Sequence, residues 1–329
     1  MAAFSRSTGK AIRPHAKTHK SPLVARLQLE RGAIGMCCAK LGEAEVMADA
    51  WIGPLLVTTE IAGTEKVARL VALAGRAPVT TVVDDADAAA TIARAARAAG
   101  LVIDALVDVN IGQDRCGVMP ADAGALASAA ASLQGLRVRG LQAYEGHLQH
   151  VYSETERRAR WRETADRLLA AREAIARAGV EPEIVSTAGT GTCAFAAELA
   201  EVTELQPGSY PFMDCDYARV EGLPYEVALT VLTSVVSRRR GDTAVIDAGW
   251  KAITVESGMP VVKDRPGLEY TPAGDEHGFL RGARLTPGDK LELVPSHCDT
   301  TVNLHDRYIC VRGGTVEALW PIAGRGRIQ

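Results

Sequence analysis

The segment Arg13-Pro14-His15-Ala16-Lys17-Thr18-His19-Lys20 sets a lysine just beyond a short apolar run. An amine in that position can form a Schiff base with an aldehyde cofactor once its pKa is lowered. A basic, solvated loop is the plainer reading of the same spacing. Further along, Gly189-Thr190-Gly191-Thr192 lies between the strand-like run ending at Thr187 and the helical pattern Cys193–Leu199. Glycines let a backbone approach a phosphate, and a helix N-terminus offers unpaired N–H groups. A simple turn with Thr192 as its cap fits equally well. Pro207-Gly208-Ser209-Tyr210 could add backbone donors to the same anion, or could be only a turn.

Three further clusters carry chemistry-bearing side chains. Arg115, in Asp114-Arg115-Cys116-Gly117, could hold an anionic oxygen, although alone it reads as a surface arginine. Tyr144 precedes His147 and His150, so a ring able to stack on a flat cofactor stands beside two bases; a packed tyrosine with surface histidines is the bland alternative. In Pro295-Ser296-His297-Cys298-Asp299, an extended strand would put His297 and Asp299 on one face and Cys298 on the other. Imidazole with carboxylate suits Mn or Mg, and also Zn or Co. Two protein ligands leave positions open for water or substrate, as a catalytic metal needs.

These residues need a scaffold, and the hydrophobic pattern supplies one. Strand-like runs are Ala11–Lys17, Ala33–Cys38, Pro54–Thr58, Val79–Val83, Val102–Asn110, Val138–Tyr144, Glu183–Thr187 and Val202–Leu205. Helical patterns such as Pro22–Arg31, Ala86–Ala99 and Glu154–Ala178 separate them. Strands alternating with helices imply parallel pairing, here a (β/α)8 TIM barrel over residues 1–225, with a doubly wound open sheet as the alternative. From about Glu226 the texture changes to strand-like runs, Val227–Ser237, Thr243–Asp247, Lys290–Val294, Arg307–Val311 and Val316–Trp320. Turn formers at Arg240-Gly241-Asp242, Pro287-Gly288-Asp289 and Arg312-Gly313-Gly314 divide them, so residues 226–329 are expected to form an all-β domain.

The bulk composition narrows the function. A chain of 329 residues, 47% hydrophobic and 23% charged with a net charge of -3, is ordinary for a globular protein. It points to neither nucleic acid nor a membrane as the main partner. No apolar run has a spanning length, and the start lacks the apolar core of a signal peptide. The seven cysteines include no CxxC pair, which suggests a reduced, cytoplasmic chain.

Taken together, these segments resemble, nearly end to end, the D-threonine aldolase, D-3-hydroxyaspartate aldolase and D-serine dehydratase family. These are fold type III pyridoxal-phosphate enzymes related to alanine racemase. Asp275-Glu276-His277-Gly278 and Thr301-Val302-Asn303-Leu304 also look like family segments. The resemblance implies that Lys17 carries pyridoxal 5'-phosphate, Arg115 approaches its phenolic oxygen and Tyr144 packs on its ring. It makes Thr187, Gly189, Thr190, Gly191, Thr192, Gly208 and Ser209 phosphate-site candidates, with Tyr210 beside them. Gln206 occupies the place where alanine racemases carry an arginine at the pyridine nitrogen; a neutral partner is expected to leave that nitrogen unprotonated more easily. His297 and Asp299 are the implied metal ligands, and His147 or His150 the implied base, directly or through metal-bound water.

The implied reaction is cleavage of a D-β-hydroxy-α-amino acid, D-threonine or D-3-hydroxyaspartate, to glycine and an aldehyde by a homodimer. A D-serine dehydratase-like ammonia-lyase and a non-catalytic pyridoxal-phosphate-binding protein are the alternatives. Aspartate at 299, where the dehydratase branch shows cysteine, favours the aldolase, and the second domain disfavours the carrier. Two departures stand out. Relatives carry a further strand and helix before the lysine segment, so an open edge is expected in the second domain. Ala39 stands where related hydroxyaspartate aldolases tend to carry glutamine.

Overall fold

The computed structural model describes residues 1–239 and 241–329. It divides into two compact units, Met1–Gly208 with Gly326–Gln329, and Ser209–Arg325. In the first unit, eight strands alternate with helices: β1 (Ala11–Ile12), β2 (Met36–Cys38), β3 (Leu55–Val57), β4 (Val79–Val83), β5 (Ile103–Asp108), β6 (Leu136–Ala143), β7 (Ile184–Thr187) and β8 (Glu204–Leu205). All pairs are parallel, in the order β1-β8-β7-β6-β5-β4-β3-β2. A bridge between His15 and Cys37 joins the two ends of that order. Ala16 N donates to Cys37 O at 2.7 Å, and Cys37 N donates to Pro14 O at 2.8 Å. The expected barrel is therefore present.

The sequence pattern anticipates several element bounds. The helices Pro22–Glu30, Ala86–Ala98 and Glu154–Arg177 each end one residue before the periodic stretch does. Asp85 and Ser153 cap two of them by accepting from Ala88 N and Glu156 N. One strand is a correction: β1 stops at Ile12 rather than reaching Lys17. Pro14 has no N–H with which to continue the ladder.

Side chains on the barrel strands alternate between two surroundings. Met36, Cys38, Leu55, Val57, Val83, Ala105 and Val107 belong to the large core cluster. Cys37, Leu56, Val82 and Leu106 form a separate small cluster with Ile184 against it. Beside that apolar patch lies a polar one, anchored by Arg13 at 8% exposure and Glu204 at 3%. Arg13 Nε lies 3.1 Å from Glu204 Oε1, and Nη2 lies 2.9 Å from Oε2, a bidentate pair. Gly35, at φ +155°, lies against it: a Cβ there would stand 2.2 Å from Pro54 O and 2.6 Å from Arg13 Nη1.

The second unit holds a closed antiparallel barrel of β9 (Val231–Arg238), β10 (Ala244–Ile246), β11 (Val261–Val262), β12 (Glu269–Pro272), β13 (Gly278–Arg281) and β14 (Lys290–Val294), in the order β10-β13-β12-β11-β14-β9. Its core includes Val231, Val235, Ile246, Tyr270, Leu280 and Leu293. A separate antiparallel pair follows, β15 (Arg307–Arg312) with β16 (Thr315–Pro321). Strands β11 to β13 have only two to four residues each, too few to show a period in the sequence. Of the anticipated turn at 240–242, Arg240 lies outside the described residues. All seven cysteines are free. Among the described residues, no helix is long and apolar enough to cross a membrane.

The Arg13–Glu204 pair gives a stability test. Glu204→Ala strands a buried guanidinium and should cost roughly 3–5 kcal/mol in urea unfolding. The double variant Arg13→Met/Glu204→Leu removes both charges and should regain most of that loss. Equal loss in the single and double variants would show that the charge pairing is not what matters.

Candidate functional site

In the first unit the chemistry-bearing residues collect where barrel enzymes carry their sites, just past the C-terminal ends of the strands. Lys17 follows β1 and is half-buried. Its N–H donates to His15 Nδ1 at 3.4 Å, and His15 Nε2 lies 3.1 Å from Thr58 Oγ1 beyond β3. Lys20 is the competing amine, and it is committed elsewhere. Buried at φ +50°, it pairs with Glu43, whose other oxygen accepts from Ala39 N at 2.8 Å and Lys40 N at 3.3 Å. The position noted at Ala39 thus contributes its backbone to the Glu43 arrangement.

The loops after β5 and β6 bring Arg115 and Tyr144 together, with the guanidinium carbon 5.9 Å from the ring centroid. His147 packs on Gly112, where a Cβ would lie 3.1 Å from the imidazole Cε1. Gly112 has φ +126°, so only glycine suits both its backbone and its neighbour. Burial and the nearby Arg167 cation hold the His147 imidazole below its ordinary pKa, which keeps it neutral and able to accept a proton. His150 is exposed.

The Gly189–Thr192 loop is built on two residues that the sequence reading missed, Glu145 and Gln149. Glu145 is fully buried, and burial raises its pKa against the hydrogen bonds it accepts. Thr192 Oγ1 donates to it, Thr187 Oγ1 lies 3.0 Å from it, and Ala188 N donates to it at 3.3 Å. Gly191 N donates to Gln149 Oε1 at 2.8 Å, and Gly189 N donates to Thr192 Oγ1 at 3.1 Å. The Thr192 hydroxyl therefore turns toward Glu145 and shapes the loop, while the Thr187 hydroxyl lies nearer Ala143 O, at 2.6 Å. Thr190 is 2% exposed within it. Thr18 Oγ1, buried and without a hydrogen-bond partner, would stand 2.8 Å from a Cβ at Gly208. An orphaned hydroxyl beside bare backbone, next to Lys17, is a setting for a polar ligand. With the Lys17 amine, the Arg115 guanidinium and the Tyr144 ring, this donor set fits pyridoxal phosphate.

Gln206 ends β8 and is 5% exposed. Its Nε2 donates to Ser186 Oγ at 2.7 Å and to Gln142 Oε1 at 3.2 Å. Ser186 Oγ donates to Glu204 Oε1 at 2.7 Å. Gln142 Nε2 donates to Thr58 O at 3.2 Å and to Asp108 Oδ1 at 2.8 Å. Burial pushes the Asp108 carboxyl up to about 8, opposed by Gln142 and helped by Glu60. Glu60, Asp84 and Cys116 place one ligand atom each within 4.8 Å of one another, another cluster not anticipated from sequence. Burial and Glu60 hold the Cys116 thiol near 11, so it is protonated at neutral pH.

In the second unit, Ser209 is buried and Tyr210 packs its ring 5.8 Å from that of Tyr225. His297 and Asp299 correct the expectation of an extended strand. Cys298–Val302 is a short helix, with His297 as its N-cap in extended conformation and Asp299 in the first turn. The cause lies far along the chain: buried Asp214 accepts from Cys298 N at 2.8 Å and satisfies the first helical donor. The two side chains still meet, with His297 Nε2 and Asp299 Oδ1 3.9 Å apart. Glu256, also missed, lies 2.6 Å from His297 Nδ1 and accepts from Thr300 Oγ1 at 2.8 Å. Burial opposes ionisation of Glu256, but Thr300 and His297 outweigh it and hold its pKa down. A carboxylate on Nδ1 leaves Nε2 as the ligand nitrogen, the usual support of a metal-binding histidine. This N/O pair fits a divalent metal.

Comparison with known proteins supplies the context. A family model described as the alanine racemase N-terminal domain matches residues 1–216, and one described as a putative serine dehydratase domain matches residues 228–311. The chain is 39% identical over 340 residues to a 3-hydroxy-D-aspartate aldolase of Paracoccus denitrificans (strain Pd 1222), covering 99% of this chain and 88% of that one. It is 41% identical over 334 residues to a D-threonine aldolase of Arthrobacter sp, with the same coverage. The crystal structure of D-threonine aldolase from Filomicrobium marinum superimposes with a TM-score of 0.98 at 45% identity, over 100% of this chain and 91% of that one.

Two measurements probe the site in the first unit. Borohydride reduction of protein incubated with pyridoxal phosphate, followed by peptide mapping, should label Lys17; label at Lys20 or Lys40 would refute the assignment. Arg167→Gln removes a cation that lowers the His147 pKa, so the acidic limb of the rate profile should move to higher pH. An unmoved limb would exclude His147 as the base and leave His150.

Proposed function

As a member of the D-threonine aldolase and 3-hydroxy-D-aspartate aldolase family, this chain is a carbon–carbon lyase of the aldehyde-lyase type, and we propose that it cleaves D-threonine or D-3-hydroxyaspartate with pyridoxal phosphate and a divalent metal. The observation that carries the metal reading is the pairing of His297 Nε2 with Asp299 Oδ1, oriented by Glu256. Such a set of nitrogen and oxygen ligands suits Mn or Mg better than a thiolate-preferring ion, with Zn or Co less favoured.

Lys17 Nζ is the attachment point for the cofactor, because Lys20 is held by Glu43. Arg115 would hold the ring's phenolic oxygen and Tyr144 would cover the ring face; the Arg115 guanidinium carbon lies 5.9 Å from the Tyr144 ring centroid. The loop Gly189–Thr192, braced by Glu145 and Gln149, would carry the phosphate with the Gly208 backbone, and Ser209 and Tyr210 are the further candidates read from the sequence. Bound there, pyridoxal phosphate would supply a sink for the electron pair left on Cα, and a divalent metal at His297 and Asp299 would supply a Lewis acid for the β-hydroxyl. His147, its pKa lowered by partial burial and by Arg167, would take the hydroxyl proton at its imidazole nitrogen. The aldehyde departs with Cβ, and a proton delivered to Cα completes glycine.

The test is aldehyde release from a panel of D- and L-β-hydroxy amino acids, with and without chelator. D-threonine or D-3-hydroxyaspartate should yield glycine and an aldehyde, and the L forms should be inert. Chelation should abolish cleavage while the absorbance of the bound cofactor persists, and Mn or Mg should restore it. Asp299→Ala should match the chelated enzyme, and Glu256→Gln should weaken metal affinity roughly 10–100-fold. Full activity after chelation would remove the metal from the reaction. Pyruvate and ammonia from D-serine, faster than aldehyde from D-threonine, would place the chain with the dehydratases.

A further inference from the structure

We propose that Gln206 faces the cofactor as a hydrogen-bond acceptor and that the pyridine nitrogen is therefore held in its protonated form. The inference rests on the proposed placement of the ring on Lys17. Sheet order supports the position of Gln206: β8 lies between β1 and β7, so its end is flanked by Lys17 and by the Gly189–Thr192 loop.

An amide can present either end, and here the surrounding bonds decide which. Glu204 is held by Arg13 and can only accept, so the Ser186 hydroxyl spends its proton on Glu204 and offers Gln206 a lone pair. On the other side, Thr58 O is a backbone carbonyl and can only accept. Gln142 must therefore turn its nitrogen to Thr58 and its oxygen to Gln206. Gln206 thus meets an acceptor on each side, at 2.7 and 3.2 Å. Both protons of its Nε2 are used there. Reversing the amide would set its oxygen against Ser186 Oγ and Gln142 Oε1, acceptor against acceptor at two buried contacts. Oε1 is then the atom of the amide head left for a ligand, and an acceptor binds N–H rather than a bare nitrogen lone pair.

The expectation drawn from the neutral charge of glutamine is thereby reversed. A neutral donor would favour the unprotonated nitrogen, whereas a neutral acceptor favours the protonated one. A protonated ring draws the electron pair at Cα more strongly, so the ring shares the stabilisation with the metal rather than deferring to it. Gln142, Ser186 and Glu204 are positioning residues in this scheme, acting only through the orientation of Gln206.

The test reads the nitrogen itself. Protein reconstituted with ¹⁵N-labelled pyridoxal phosphate is examined by ¹⁵N NMR, with the attachment site mapped in parallel after borohydride reduction. The expected result is a pyridinium-type resonance with coupling to a directly bonded proton. Gln206→Met, similar in size but without the acceptor, should keep the cofactor on Lys17 and shift the resonance to the unprotonated position, with loss of the coupling. Gln206→Leu provides the same truncation should the methionine variant fold poorly. An unprotonated resonance in the unaltered protein overturns the proposal, as does a protonated one that survives both truncations. Attachment at another lysine, seen in the peptide map, overturns the cofactor reading and this inference with it.

Discussion

A buried ion pair between Arg13 and Glu204 sets the polarity of the first barrel's interior. Two charges inside a barrel are costly unless each is fully bonded, and here the guanidinium grips the carboxylate with two nitrogens. Gly35 exists as glycine partly because a Cβ would strike that guanidinium. A carboxylate that can only accept then dictates the direction of every bond beyond it, through Ser186 to Gln206. The apolar side of the interior, Cys37, Leu56, Val82 and Leu106, imposes no such direction.

The same device recurs around the other candidate groups. Glu145 braces the Gly189–Thr192 loop and accepts from the Thr192 hydroxyl and the Ala188 N–H. Glu43 holds Lys20 in a buried ion pair. In the second unit Asp214 starts the short helix after His297, and Glu256 fixes which imidazole nitrogen is presented. In each case a carboxylate stands behind the candidate residue and settles its orientation or charge before any ligand arrives. Preorganisation of this kind is what distinguishes a site from a collection of suitable side chains.

Within the chain itself, periodicity located the barrel because its signal is local. β4 and β14 fall on the anticipated bounds, Val79–Val83 and Lys290–Val294, since alternating apolar runs and turn formers lie in neighbouring residues. Lys17, Arg115, Tyr144 and the His297–Asp299 pair could be singled out because their types and spacings are written along the chain. None of Glu204, Glu145, Gln149, Glu256 or Asp214 could be chosen in that way. Each acts on a partner well separated in sequence, as Asp214 does on Cys298, and nothing around an isolated acidic residue tells which backbone N–H it will meet.

The extended conformation expected at His297–Asp299 failed for that reason: helix formation there depends on a cap from a distant residue. The pair survived the change because an N-cap and a first-turn residue can also point together, as the 3.9 Å separation shows. Gln206 makes the division plainest. Its identity, read in sequence, states that an uncharged amide stands at the end of β8. Which end of that amide faces outward depends on Ser186 and Gln142, and through them on Arg13 and on a backbone carbonyl at Thr58. The sequence by itself determined the residue types and the elements that carry them. Only the tertiary structure decided hydrogen-bond direction, because direction is a property of partners that folding brings together.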